Sequence, residues 1–262
     1  MNRIDLNCDM GESFGAYTMG MDGEILRHVS SANIACGFHA GDPRVMNRTV
    51  RMARDHGVGI GAHPGFPDLA GFGRRNLDCS LEELRDDLIY QIGALQAFCA
   101  HHGVRMQHVK PHGALYNLAV GNDAMARTIA QAIAGLDPGL TLVTLAGKHA
   151  ALMNRIGGEV GIRMVFEAFP DRAYTADGTL VARSRPGAVI HDPRQAADRA
   201  LRMAAEGLVI AEDGTRISLQ VDTLCVHGDN PAAVDLARAI HERLEKSGIA
   251  VTPMGRAKPS GF

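Results

Sequence analysis

The stretch Ile4–Glu12, IDLNCDMGE, alternates as a β-strand does, with Ile4, Leu6 and Cys8 on one side and Asp5, Asn7 and Asp9 on the other. A strand covered by helices on both faces of an open parallel sheet reads instead as a near-continuous apolar run. Here one face carries two carboxylates and an amide. The same parity recurs downstream. In QHVKPHG (107–113), His108, Lys110 and His112 oppose Val109 and Pro111; in GVGIGAHPG (57–65), Gly59, Gly61 and His63 oppose Val58, Ile60 and Ala62; in DTLCVHGDN (222–230), Thr223, Cys225 and His227 oppose Leu224 and Val226.

Candidate strands fall at Ile4–Cys8, Asn33–Cys36, Val58–Ala62, Gln107–Lys110, Thr141–Leu145, Ile162–Glu167 and Asp222–Val226, with helical signals between them. Asp42 is placed to cap a helix with Pro43 in its first turn and Gly57 as its stop. Ser80 and Glu83 form a capping-box pattern ahead of the helical stripe Leu84, Leu88, Ile92, Leu95 and Cys99, which ends near Gly103. Asn230 and Pro231 open a last long helix that runs toward Gly248, and residues 208–219 read as a hairpin about Asp213–Gly214. Strands alternating with helices imply a parallel sheet with right-handed crossovers, either closed or open and doubly wound. One-sided polarity selects the closed form, its outer face packed on helices and its inner face bearing the chemistry. The expectation is one α/β domain over residues 1–262, a seven-stranded β/α barrel, with 249–262 as a surface tail.

Composition narrows the function. A chain of 262 residues that is 46 % hydrophobic can bury a large core, and a formal net charge of −2 offers no basic surplus for a nucleic-acid partner. No apolar run approaches membrane-spanning length and no leader pattern opens the chain, so a cytoplasmic protein with no membrane partner is expected. Five widely spaced cysteines without a C-x-x-C pair argue against a disulfide framework or zinc knuckle, and are read as free, mainly structural thiols.

Strand after strand ends in an ionisable group: Asp9, His39, His63, Lys110 with His112, Glu167 and His227. In parallel α/β folds the carboxyl ends of the strands hold the active centre. Convergence of so many such groups from separate strands points to catalysis, while Asp5 and His108, deeper in their strands, read as members of a polar core network. The loops GFPDLAGFGRR and EAFPDRAYTADGTLVARS leave strand ends and offer arginines that could clamp a carboxylate, Arg172 foremost. No P-loop, G-x-G-x-x-G or G-x-S-x-G motif is present. A zinc-type site built from His and Asp of neighbouring strands remains open but is not favoured, since Lys110 lies between two imidazoles.

Six ordered segments, DLNCDMGESFG, NIACGFHAGDP, GAHPGFPDLAGFGRR, KPHGALYN, EAFPDRAYTADGTLVARS and CVHGDNP, together closely resemble the LamB/YcsF family. The resemblance spans Ile4 to about Leu244 and implies a seven-stranded barrel related to polysaccharide deacetylases. It further implies the role of the A component of bacterial 5-oxoprolinase, acting with subunits B and C to open 5-oxo-L-proline to L-glutamate using ATP bound with or by the partners. On chemical type, Asp9 and His63 would position or deprotonate water, while Lys110 and His112 stabilise developing negative charge. Arg172 would hold the substrate carboxylate, and Asn7, His39, Glu167 and His227 would complete the substrate contacts. A metal-dependent deacetylase or amidohydrolase acting on a carbohydrate-like substrate, and a non-catalytic lactam-binding component, are the competing readings.

Overall fold

The computed structural model describes residues 3–228 and 232–254. Seven parallel strands close on themselves: β1 (Arg3–Met10), β2 (Ser31–Ala35), β3 (Gly59–His63), β4 (Met106–Val109), β5 (Thr141–Leu145), β6 (Arg163–Ala168) and, after the antiparallel hairpin β7 (Leu208–Ile210) and β8 (Arg216–Ser218), β9 (Thr223–His227), which pairs with both β6 and β1. Each of the seven lies where the alternation placed it. The helices are α1 (Asp22–Ile25), α2 (Pro43–Asp55), α3 (Leu81–His101), α4 (Gly113–Gly121), α5 (Asp123–Leu136), α6 (Ala150–Val160), α7 (Pro193–Glu206) and α8 (Ala233–Lys246).

Local chemistry sets these boundaries. The Asp42 carboxylate accepts from the backbone N–H groups of Arg44 and Val45 at the start of α2. Ser80 and Glu83 make the reciprocal capping box of α3, whose Leu84, Leu88, Ile92, Leu95 and Cys99 form its buried stripe. Outward-facing strand residues such as Leu6, Cys8, Ile60, Val109 and Leu224 pack with these helical stripes into one large apolar shell around the barrel. The predicted cap of α8 by Asn230 and Pro231 lies outside the described residues.

The tail departs from expectation. Ile249 is buried, and β10 (Ala250–Val251) adds a parallel pairing to Arg3 and Ile4 of β1. Met254 packs against Val143 and Val165, inside the barrel at its amino-terminal end, and Arg163 donates to the Met254 carbonyl oxygen at 3.2 Å. Two residues of pairing and one plugging methionine are too short a signal for periodicity to register. The remainder of the expected tail, residues 255–262, lies outside the described residues.

Candidate active site

Above that plug, the barrel interior is polar. Asp5 accepts from Ser30 (2.7 Å), Ser31 (2.6 Å) and Thr223. Burial outweighs these bonds and pushes its carboxyl up to about 6. His108 fills the space left by Gly61, where an added Cβ would come within 2.1 Å of its Nε2. That nitrogen donates to Asn33 Oδ1 at 2.7 Å, and burial takes the imidazole down to about 3, so it stays neutral. Asn33 in turn donates to Asn7 Oδ1 and Asp9 Oδ1, both at 2.7 Å. The predicted core network therefore exists, and it orients the groups above it.

Lys110 follows β4, and its Nζ lies 2.9 Å from Asp9 Oδ1, 2.9 Å from Glu167 Oε1 and 3.0 Å from Cys225 Sγ. Burial opposes its charge, but Asp9, Cys225 and Glu167 outweigh burial and hold the ammonium well above its ordinary range. Burial likewise works to raise Asp9, yet His63, Lys110 and His227 keep that carboxyl well below the usual carboxylate range. Glu167 is fixed further by the Tyr116 hydroxyl on Oε2 (3.0 Å) and by Asn7 Nδ2 (2.9 Å) on Oε1, the oxygen that also faces Lys110.

The imidazoles form a second cluster. His63 Nδ1 faces the Lys110 carbonyl oxygen at 2.7 Å and His112 Nε2 faces that of Phe72 at 2.9 Å, so both nitrogens carry hydrogen. The two remaining nitrogens, His63 Nε2 and His112 Nδ1, meet at 2.9 Å, with Asp9 Oδ2 3.3 Å from the former. Two lone pairs cannot face each other at that distance; either a proton or a cation must lie between them. His39 stacks on His112 with ring centroids 3.7 Å apart, and its Nε2 is 3.5 Å from Glu12 Oε1. Burial and the neighbouring imidazoles push His39 and His112 well below their ordinary range, toward the neutral, ligating form.

The loop after β3 shapes this corner. Phe72 has φ 55°, a left-handed conformation costly for an aromatic residue, and presents its carbonyl to His112. Gly113, at the start of α4, has φ 54°, and a Cβ there would meet the Gly73 carbonyl oxygen at 2.5 Å, so only glycine lets the loop close over His112.

Two donor sets converge closely enough to suggest a metal. Glu12, His39, His63 and His112 bring one ligand atom each within 4.8 Å of one another. Among the described residues, neither ring nitrogen of His39 has a hydrogen bond, and backbone carbonyls fix the outer nitrogens of His63 and His112 as they do for metal-bound imidazoles. This set fits a divalent cation. Asp9, Cys225 and His227 also converge, but Lys110 Nζ already occupies the cation position against Asp9 and Cys225, so that set does not fit.

A cavity of about 590 Å³ opens over these groups, lined among others by Asp9, Glu12, His63, Arg74, Lys110, His112, Tyr116, Phe169, Arg172, Arg183 and His227. Of the residues predicted to touch substrate, Arg172 and His227 line it. Asn7, His39 and Glu167 are fully buried and do not: Asn7 and Glu167 are taken up in the bonds beneath Lys110, and His39 lies under His112. Their expected substrate contact is corrected to a supporting position. Arg172 Nε and Nη2 donate to the carbonyls of Ala188 (3.2 Å) and Val181 (2.6 Å), so part of its fork holds its own loop. Sequence reasoning passed over Glu12 and Tyr116, and named Asp171 only among the charged residues of its loop. Glu12 closes the opening stretch just past Gly11 and could have been found by following that strand into its loop; Tyr116 sits in a helix with no parity to mark it.

A closed parallel β/α barrel with acid, base and cation gathered in a cavity at the carboxyl ends of its strands has the architecture of an enzyme. The chain belongs to the LamB/YcsF family, whose model matches residues 4–259. It is 54 % identical over 255 residues to a protein of Natranaerobius thermophilus named as the A component of 5-oxoprolinase, covering 97 % of this chain and 98 % of that one. A protein of Syntrophobacter fumaroxidans with the same name is 53 % identical over 253 residues, covering 97 % and 99 %. The crystal structure of a lactam utilization protein from Thermus thermophilus superposes with a TM-score of 0.89 at 51 % identity, over 95 % of this chain and 99 % of that one.

Proposed function

We propose that this chain is the A component of an ATP-dependent 5-oxoprolinase, which with subunits B and C opens the lactam of 5-oxo-L-proline to give L-glutamate. The observation that carries the reading is the buried ammonium of Lys110, held by Asp9 and Glu167 beside the His63–His112 pair in a cavity. The names of the relatives supply the substrate and imply further components of a complex.

Water adding to a lactam carbonyl builds negative charge on oxygen. A fixed cation in a site that excludes bulk water stabilises that charge more than it could in solution. Asp9 and His63 face the cavity together and hold the attacking water, with the Asp9 carboxylate as the group that takes its proton. Arg172 spends two of its five N–H donors on its own loop, and the others are available to the substrate carboxylate. The cavity is larger than a five-membered lactam needs, and Arg74 and Arg183 also line it, which suits a phosphorylated lactam delivered by nucleotide-binding partners. Were a divalent cation bound, Glu12, His39, His63 and His112 would hold it and it would polarise the lactam carbonyl.

We place the protein in the cytoplasm, as a single domain. Among the described residues, no helix is long and apolar enough to cross a membrane. The deciding experiment measures glutamate formed from 5-oxoproline by this chain alone and with candidate partner subunits, with and without ATP. Turnover is expected only with partners and ATP. Metal-dependent turnover by the chain alone, without ATP, would replace this reading with the amidohydrolase one.

A further inference from the structure

His227 ends β9, in register beside Asp9, and lines the cavity. Its Nδ1 lies 2.7 Å from Asp171 Oδ2. Asp171 stands in the loop after β6, is 1 % exposed and is not part of the cavity wall. A carboxylate only accepts, so Nδ1 carries the hydrogen and Nε2 is left as the working nitrogen. Among the described residues, Nε2 makes no hydrogen bond. Phe169 packs almost parallel to the ring, with centroids 5.5 Å apart and planes at 17°, which fixes the orientation of the imidazole.

The charged groups facing this pair come from several elements. Asp9 approaches from β1, Lys110 from the end of β4, and Arg172 and Arg183 act on Asp171 from its own loop. Burial works to raise the Asp171 carboxyl, but His227 and the two arginines outweigh it and keep it below its ordinary value. A buried, ionised carboxylate behind an imidazole is more than a simple hydrogen-bonding contact to substrate requires. It is the arrangement that holds an imidazole in one orientation and fixes which ring nitrogen faces the cavity. His63 reaches Asp9 from β3, on one side of β1, and His227 stands on β9, on the other. Hydrolysis of an amide needs both a group to take a proton from water and a group to give one to nitrogen.

We infer that His227 is the proton donor to the ring nitrogen as the lactam opens, and that Asp171 is the residue that positions it. This rests on the lactam-opening reading above. The water oxygen bonds to the ring carbon that bears the phosphorylated oxygen, the C–N bond breaks and its electron pair goes to nitrogen, which takes the proton of His227 Nε2, and the acyl phosphate so formed is split by a second water into carboxylate and phosphate. The proton lost by water then returns the imidazole to its starting state.

The test uses the chain assembled with its partner subunits and ATP, measuring kcat and KM for 5-oxoproline across pH. If the unmodified chain gives no turnover, the lactam reading itself fails. If it turns over, His227→Gln is expected to lower kcat about 100-fold with little change in KM and to abolish the alkaline limb of the kcat profile, since a general acid must be protonated. Asp171→Asn lowers kcat by about 10-fold or more, again with little change in KM. In His227→Ala, added imidazole restores at least about a tenth of the lost rate, an effect a structural role would not show. A rise in KM alone, an alkaline limb unchanged in His227→Gln, or no rescue by imidazole overturns the inference.

Discussion

Replacing Lys110 with Met keeps the length of the side chain and removes the charge that Asp9 and Glu167 share. In the wild type, Nζ is 2.9 Å from an oxygen of each. After the substitution, Asp9 retains Asn33 and His63, and Glu167 retains Asn7 and Tyr116, but two buried carboxylates face each other without their cation. Breaking a buried pair by deleting one partner costs about 3–5 kcal/mol. For a chain of this size each kcal/mol moves the melting midpoint by about 2–4 °C, so a drop on the order of 10 °C is expected. The pH dependence gives a second signature. Asp9 is depressed in the fold, so its contribution is present above the unfolded carboxylate value of about 4 and is lost as pH falls through its lower folded value. Lys110 is raised, so its contribution is complete below about 10 and is lost only as pH rises through its higher folded value. The destabilisation in Lys110→Met should therefore be largest near neutrality and shrink on acidification, as the stranded carboxylates take up protons. Thermal melts followed by circular dichroism at several pH values measure this, and kcat of the assembled enzyme should fall by about 100-fold or more. A variant with the wild-type midpoint and wild-type turnover would refute the reasoning.

Four further outcomes follow from other parts of the site. Asp5, raised to about 6, binds its proton more tightly folded than unfolded, so it contributes stability below about 4 that is lost as pH rises through 6; Asp5→Asn should remove roughly 2–3 kcal/mol of that pH dependence in urea melts. Tyr116→Phe strips one donor from buried Glu167 and should cost about 1–3 kcal/mol of stability in denaturant titration. Gly61→Ala drives a methyl to 2.1 Å from the His108 imidazole and should destabilise by about 1–3 kcal/mol, measured the same way. If a divalent cation occupies the imidazole cluster, elemental analysis finds it in stoichiometric amount and His39→Ala reduces its content; a chelator-treated chain with undiminished turnover assigns the contact between His63 and His112 to a proton instead.

The barrel was legible because its inner face is polar. Asp5, Asn7 and Asp9 break the apolar pattern of an ordinary parallel strand, and the parity of Gly61, His108 and Cys225 repeats the break. The ends of α2 and α3 were legible from capping residues, whose preference is local. What stayed hidden depends on contact across the chain. Asn7 and Glu167 carry the same chemistry as residues at the cavity, but Lys110 stands over both, and a sequence does not show which polar group lies above another. Asp171 becomes meaningful only because β6 and β9 are neighbours, which brings its loop to His227. Met254 plugs the barrel through a pairing two residues long.

The most direct test of the whole account is a crystal structure of the chain soaked with 5-oxo-L-proline. The ring should lie in the cavity over Lys110, between Asp9 and His227, with its carboxylate toward Arg172. A ring bound on the outer helices, or a cavity that stays empty at saturating ligand while the assembled enzyme turns over, would show that the lactam is opened elsewhere.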